Sequence, residues 1–354
     1  MIVRDEEETL VRCLDGIKDI ADEIVIVDTG SRDSTRDIAA RYTDRVYDFV
    51  WCDDFSAARN FSFSLATTDY VMWLDADDVV AEPDAEEIRR LCDGGGFDVA
   101  YLRYAVADGN KQSFFYYRER IIRRALGLKW EGAVHEVITP VGKMVWSDAC
   151  IVHKKIKSGH PMRNLHMYQK EISEGKELSP RDKFYYGREL FFNGMLPESI
   201  AVLENYLSGE GWVENRVEAC RTLFRAHMRR GDRENAIKSL LRAFAISRPR
   251  AEECCHLGEY FFGNGDLDAA AYWYNCALNS GDDLKSGGFV DTAYTGFIPA
   301  IWLCVIYDRL GDSERAERFN ELAGSFRPDD ESYLHNRQYF KENKLKGKNQ
   351  SNDK

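Results

Sequence analysis

No two cysteines in this sequence have the Cys-x-x-Cys spacing that builds a zinc site or a redox centre, and the total of nine is odd. Cys13, Cys52, Cys92, Cys150, Cys220, Cys254, Cys255, Cys276 and Cys304 lie mostly within apolar runs. They read as reduced core thiols of a cytoplasmic protein, not as a disulfide frame. No apolar run approaches ~18 residues and no signal peptide opens the chain, so no membrane span is expected. Peripheral attachment at the inner face of a membrane is left open. Basic residues are outnumbered, 48 Lys and Arg against 60 Asp and Glu, giving a formal net charge of -12. That balance excludes a general binder of nucleic acid or of anionic membranes. It leaves room for a nucleotide held locally. The first strand is followed by no GxGxxG, Walker A or other glycine-rich loop to cradle phosphate with backbone amides. Phosphate charge therefore has to be met by a metal ion and side chains.

At 354 residues the chain is long enough for two domains. In its first half, apolar strands alternate with amphipathic helices. Glu23 to Asp28 is a β-branched strand ending in an aspartate, and Thr29-Gly30-Ser31 makes the turn into a helix. Arg45 to Trp51 is a third strand that exits through Cys52-Asp53-Asp54-Phe55, and the next helix carries Arg59-Asn60 near its start. Tyr70-Val71-Met72-Trp73-Leu74 then runs into Asp75-Ala76-Asp77-Asp78. Five apolar residues in a row suit a central parallel strand covered on both faces. The pattern predicts an α/β domain with a mostly parallel sheet flanked by helices.

Ligands of such sheets bind at the carboxyl ends of the strands. Asp28, Asp53, Arg59, Asp75 and Asp77 all fall at that edge. Two aspartates one residue apart can hold a hard divalent cation and leave room for phosphate oxygens. The plainer alternative is a strand followed by an acidic turn, with Asp78 as a helix cap.

Lys129-Trp130-Glu131-Gly132-Ala133-Val134-His135-Glu136 is a second constellation. It offers an aromatic platform beside two carboxylates and an imidazole, the parts that proton abstraction from an acceptor needs. A loop with a packed tryptophan and solvated charges is the competing account. Arg118, Arg120, Arg123 and Arg124 could face a diphosphate but are expected at a solvated strand edge blunted by charge; Lys154, Lys155 and Lys157 could pair with it but are expected in solvent. His153, near an apolar strand, reads first as a packed or surface side chain.

Met1-Ile2-Val3-Arg4-Asp5-Glu6-Glu7, Ile24 to Thr35, Asp54-Phe55-Ser56-Ala57-Ala58-Arg59-Asn60 and Leu74-Asp75-Ala76-Asp77-Asp78 resemble the successive motifs of family 2 glycosyltransferases with the GT-A fold. The likeness covers about the first 150 residues, and more narrowly matches a soluble branch in which that domain precedes tetratricopeptide repeats. Members of the branch usually carry several more apolar residues ahead of the equivalent of Met1, so either the true start lies upstream or the first strand is short. The resemblance implies that Asp28 contacts the nucleoside of a sugar nucleotide, with Asp53 and Arg59 lining the same pocket. It implies that Asp75 contacts ribose or diphosphate and that Asp77, with Asp75 and His153, ligates Mn2+ or Mg2+. Glu136 is then the base, Glu131 the second candidate and His135 a positioning group.

From about Pro180 the pattern is helical and repeats. Asn193-Gly194, Gly231-Asp232, Gly265-Asp266 and Gly311-Asp312 each follow an amphipathic helix, at a period near ~34 that marks tetratricopeptide repeats. Ser199, Ala236, Ala270 and Ala316 follow those glycines as the small residues that close helix crossings need. Tyr185, Tyr186, Phe261, Phe262, Tyr272, Trp273 and Trp302 are expected mostly between helices, some of them lining a groove. Asp282 to Phe289 reads as an inserted loop and Lys341 to Lys354 as disordered. The expected division is a GT-A domain over 1–157, a linker over 158–179, a repeat domain over 180–335 and a flexible tail over 336–354. The whole reads as a metal-dependent, inverting glycosyltransferase. It would move a hexose from a nucleotide sugar, expected to be a UDP-sugar, to a peptide, protein or glycan acceptor, with a protein partner open to the repeat surface. The alternative is a repeat-based protein-binding scaffold whose first domain is inactive.

Overall fold

The computed structural model describes the backbone of residues 1–108, 111–154, 156, 162–281 and 291–352, and their side chains apart from those of 107–115 and 344–352. Lys155, Lys157 and the expected loop Asp282 to Phe289 lie outside the described residues. Contacts divide the described residues into two compact units, the first running from Met1 to Gly211 and the second from Trp212 onward.

The first unit opens with β1 (Ile2–Val3), α1 (Leu10–Asp15), β2 (Ile26–Asp28), α2 (Thr35–Ala39) and β3 (Val46–Asp48). The three strands pair in parallel in the order β1-β2-β3, so Val3 lies beside Asp28 and Asp28 beside Asp48. Gly30 has φ +104, which the sharp turn out of β2 requires and a side chain would oppose. Next come α3 (Phe55–Ser64), β4 (Tyr70–Met72), β5 (Asp78–Val80), α4 (Glu82–Gly94), β6 (Val99–Asp108) and β7 (Lys111–Arg123). β8 (Trp130–Glu131), β9 (Val137–Ile138) and β10 (Met144–His153) complete the strands. Asp54 caps α3 by accepting from the Ala57 amide at 3.0 Å, which fixes the start of the helix that carries Arg59.

The second sheet is mixed, in the order β4-β7-β6-β10-β5. β4 was expected at the centre of a parallel sheet. It pairs antiparallel with β7 instead, and only Trp73 and Leu74, just past its end, are fully buried. β7 in turn lies between β4 and β6, so the arginine-rich stretch from Arg118 is an interior strand and not the solvated edge expected. Arg120 has no exposed surface. The sheet packs on α1 and α4 through Leu10, Leu14, Ile88, Phe97, Leu102, Ile121 and Ile151. A smaller cluster of Trp73, Val99, Ile122, Trp130 and Ile138 lies beneath the β8-β9 ribbon.

Where a linker was expected, α5 (Arg163–Ser173) forms, burying Leu165, Met167 and Tyr168. With α6 (Pro180–Phe192) and α7 (Leu196–Leu207) it belongs to the first unit. The Ser199 hydroxyl donates to the Gly187 carbonyl at 2.7 Å, so the small residue serves the close crossing foreseen for it.

The second unit holds α8 (Val213–Arg229), α9 (Arg233–Phe244), α10 (Ala251–Gly263), α11 (Leu267–Leu278), α12 (Phe297–Arg309), α13 (Ser313–Phe326) and α14 (Glu331–Asn352). The helices pair as tetratricopeptide repeats. In each pair a glycine with positive φ ends one helix and the next aspartate caps the other: Asp232, Asp266 and Asp312 accept from the amides of Asn235, Ala269 and Arg315. Ala236, Ala270 and Ala316 are completely buried. The expected aromatics divide as foreseen, Trp302 stacking on Tyr274 while Tyr272 is 63% exposed. In the C-terminal segment, where a disordered tail was expected, the described backbone is helical in α14 as far as Asn352. Tyr333 and Phe340 are buried, and the Asn320 amide donates to the Tyr333 carbonyl at 3.3 Å, which anchors the start of a helix that a polar sequence alone would not hold. Among the described residues no helix is long and apolar enough to cross a membrane.

Candidate active site

A cavity of about 850 Å3 opens in the first unit beyond the carboxyl ends of β1 and β4. Its floor carries Asp75, Asp77 and Trp73, and its walls carry Arg59, Arg118, Glu136 and His153. Arg163, Arg181, Tyr185 and Arg188, from α5 and α6, line it as well.

Arg59 is the pivot. It is 8% exposed, and its guanidinium is flanked by the rings of Trp73 and Trp130 at 5.0 and 4.9 Å. It donates through Nη2 to Asp75 at 2.7 Å and through Nε to Glu136 at 2.5 Å. Burial alone would disfavour its charge, but the two carboxylates more than compensate and hold it protonated. Burial likewise works against ionised Asp75, yet Arg59, Arg120 and Arg118 keep its carboxyl well below the usual range.

Asp78 is not the exposed cap of the plainer reading. It opens β5 with no exposed surface, receives Arg120 Nη1 at 3.0 Å, the Tyr104 hydroxyl at 3.1 Å and the Asp75 amide at 3.0 Å. Arg120 is sandwiched against Trp73 and Tyr104, its Cζ 3.7 and 4.2 Å from the ring centroids. Asp78 pairs in register with His153 of β10, which brings that imidazole to the acidic turn. His153 Nδ1 lies 3.3 Å from both Asp77 and Asp78. Burial opposes its charge, but hydrogen bonds to those two carboxylates push it up to about 10. His153 is thus neither a surface side chain nor an inert core residue. One donor atom each from Asp77, Asp78 and His153 falls within 4.8 Å of the others. Two carboxylates and an imidazole are a donor set that suits a divalent cation such as Mn2+. The cluster differs from the expected one in a single member. Asp78 stands where Asp75 was foreseen, because Asp75 is turned to Arg59. Arg12, overlooked in the sequence, donates to the carbonyls of Asp77 and Lys154 and ties the turn to β10.

The Val134-His135-Glu136 segment is held from two sides. His135 has φ 53, and its Nε2 meets Glu189 Oε1 at 2.9 Å. Its ring stacks on Tyr185 with centroids 4.2 Å apart, and its carbonyl accepts from Arg181 at 3.1 Å. Glu136 faces the cavity against Arg59. Glu131, the second candidate base, is exposed on β8 and does not line the cavity. Neither Asp28 nor Asp53 lines it either. Asp28 is 2% exposed and accepts from the amides of Gly30 and Ser31 at 3.2 and 3.1 Å, so its carboxylate orders its own turn. Asp53 accepts from Lys170 at 2.6 Å and from the Trp51 indole at 2.9 Å. Glu189, Arg181 and Arg163 were invisible as site residues, since their helices carry only the periodicity of packing.

The family model described as glycosyl transferase family 2 matches residues 1–152, the segment that supplies Arg59, the acidic turn and Glu136. The N-terminal domain belongs to glycosyl transferase family 2. This glycosyltransferase domain and the helices after it are similar to a TPR repeat-containing protein of Synechococcus elongatus. Identity is 28% over 304 residues, covering 83% of this chain and 69% of that one. The prophage-derived glycosyltransferase SunS of Bacillus subtilis is 24% identical over 230 residues, 59% of this chain. The chain spans about half of SunS, 52% of its length. The UDP complex of S. aureus TarS matches with a TM-score of 0.40 at 15% identity, over 67% of this chain and 88% of that one.

Proposed function

We propose that the protein is a metal-dependent, inverting glycosyltransferase that moves a hexose from a UDP-sugar to a peptide, protein or glycan acceptor. The observation that carries this is one cavity lined by Asp77 and His153 of the cation-suited cluster and by a separate carboxylate, Glu136, which Arg59 bridges to Asp75. Asp77, Asp78 and His153 would hold Mn2+ or Mg2+, which when bound neutralises the departing diphosphate. Asp75, fixed by Arg59, is placed to meet the donor's ribose or diphosphate. Asp28 shapes the turn that receives the nucleoside, and Asp53 braces the neighbouring loop through Lys170. Glu136 takes the proton of the acceptor's nucleophile as the bond to the anomeric carbon forms on one face and the bond to the diphosphate breaks on the other. Nine free thiols and the absence of a disulfide among the described residues support work in the reducing cytoplasm. A protein partner or protein acceptor fits the repeat helices of the second unit.

The test is incubation with a panel of UDP- and GDP-sugars, with and without Mn2+. Metal-dependent release of free UDP is expected. Release of pyrophosphate would indicate nucleotidyl transfer, and no turnover with any donor or metal would favour an inactive domain on a binding scaffold.

A further inference from the structure

His135 stands beside Glu136 in the cavity, and what holds it comes from outside the family 2 segment. Glu189, on α6, meets His135 Nε2 at 2.9 Å, and the Asn164 amide of α5 donates to the same Glu189 oxygen at 3.2 Å. Burial opposes ionised Glu189, but hydrogen bonds from His135 and Asn164 lower its carboxyl below the ordinary value, so it is an acceptor only. A carboxylate that only accepts requires the proton of the imidazole to sit on Nε2. Nδ1 of a neutral His135 is then an acceptor. The ring is stacked on Tyr185 and the backbone carbonyl accepts from Arg181, which together hold the imidazole with Nε2 towards Glu189. Three contacts from one helix thus converge on a single residue of the catalytic loop, which by packing alone would need none of them.

We infer that Glu189 is a positioning residue for the transfer: it fixes the Nε2–H tautomer of His135, leaving Nδ1 to accept a hydrogen bond from the acceptor beside its nucleophilic atom. The inference rests on the glycosyltransferase reading. With water as the acceptor, one O–H gives its proton to Glu136 and the other is held by His135 Nδ1. The helix that periodicity assigns to the first repeat pair therefore completes the acceptor side of the site.

The experiment measures Mn2+-dependent hydrolysis of the UDP-sugar that the wild-type full-length chain turns over fastest, in Glu189→Leu and Glu189→Gln. It is paired with 15N NMR of the imidazoles, the His135 signal being assigned by its loss in His135→Gln. Glu189→Leu should lower kcat about 10-fold and leave KM for the donor within about 2-fold. Its His135 spectrum should change from the Nε2–H tautomer to a mixture. Glu189→Gln, whose carbonyl can still accept from Nε2, should keep most of the rate and the wild-type tautomer. A wild-type kcat in Glu189→Leu, or an Nδ1–H tautomer in the wild type, overturns the inference. Equal losses in both variants overturn it too, because they indicate a structural role. Absence of any hydrolysis by the wild type would instead refute the glycosyltransferase reading, while the tautomer measurement still decides the role of Glu189.

Discussion

Arg59 and Arg120 divide the labour of holding the acidic turn. Both are buried, both lie against Trp73, and each neutralises one aspartate of the Asp75–Asp78 segment. The Arg120–Asp78 pair has no solvent contact, so removing one partner strands a buried charge. Arg120→Met is expected to lower stability by about 3–5 kcal/mol, measured as a shift of the urea midpoint. An unchanged midpoint would mean that Asp78 finds another cation. Glu136 carries a different burden. Glu136→Gln should leave UDP affinity within about 2-fold in calorimetry and reduce turnover about 10²–10⁴-fold, the range removed with a general base. If Glu131→Gln gives that loss instead, the proton acceptor lies on the β8 ribbon.

The legible part of the site was its chain order. Arg59, Asp75, Asp77 and Glu136 line the cavity in the order that the alternating α/β pattern suggested, whereas Asp28 and Asp53, read from the same strand ends, do not line it. The pairing within the site could not be read that way. Asp75 and Asp78 are three residues apart with the same chemistry, and only the register of β5 against β10 decides which one His153 meets. Arg118 to Arg124 misled because charge in a strand usually marks an edge, whereas Trp73 and Tyr104 give Arg120 a buried aromatic seat.

At the scale of elements, the repeat helices were the most readable feature, because the same small residue recurs wherever two helices cross. Gly258 of α10 shows how tight the crossing is: a Cβ there would lie 2.7 Å from the buried Tyr274 ring of α11. Gly258→Ala should cost about 1–3 kcal/mol by overpacking, despite the gain in helix propensity, and a thermal melt reads the sign directly. The same helices carry a buried charge cluster. Arg221 of α8 pairs with Glu252 of α10 at 2.7 Å and also with Glu253. Burial pushes the Glu252 carboxyl upward, but Arg221 and His256 outweigh it and bring it down to about 2. Its folded value lies below its unfolded one, so its stabilisation is present above about pH 4.5 and is lost as pH falls towards about 2. Acid titration by circular dichroism should show helix loss in that window. In Arg221→Met the carboxyl no longer has its partner, and unfolding should begin at higher pH. Coincident curves would remove Arg221 from the account. α14 was unreadable for the opposite reason, since two buried aromatics near its start hold a polar sequence whose composition alone reads as disordered.

At the scale of the molecule, a chain of net charge -12 could hold the doubly charged diphosphate of the proposed donor only by local compensation. The cation-suited cluster of Asp77, Asp78 and His153 is the proposed source of that compensation, and the cavity arginines complete it. Binding and stability are then linked, because a ligand that engages only the folded state raises the melting temperature. The decisive measurement is the melting temperature of wild type and Asp77→Ala with UDP, with and without Mn2+. The wild type should gain several degrees from UDP when Mn2+ is present and little with either alone, whereas Asp77→Ala should melt normally and show no joint gain. A UDP shift that is the same without metal, or that survives in Asp77→Ala, would contradict the claim that a cation at this turn carries the donor's charge.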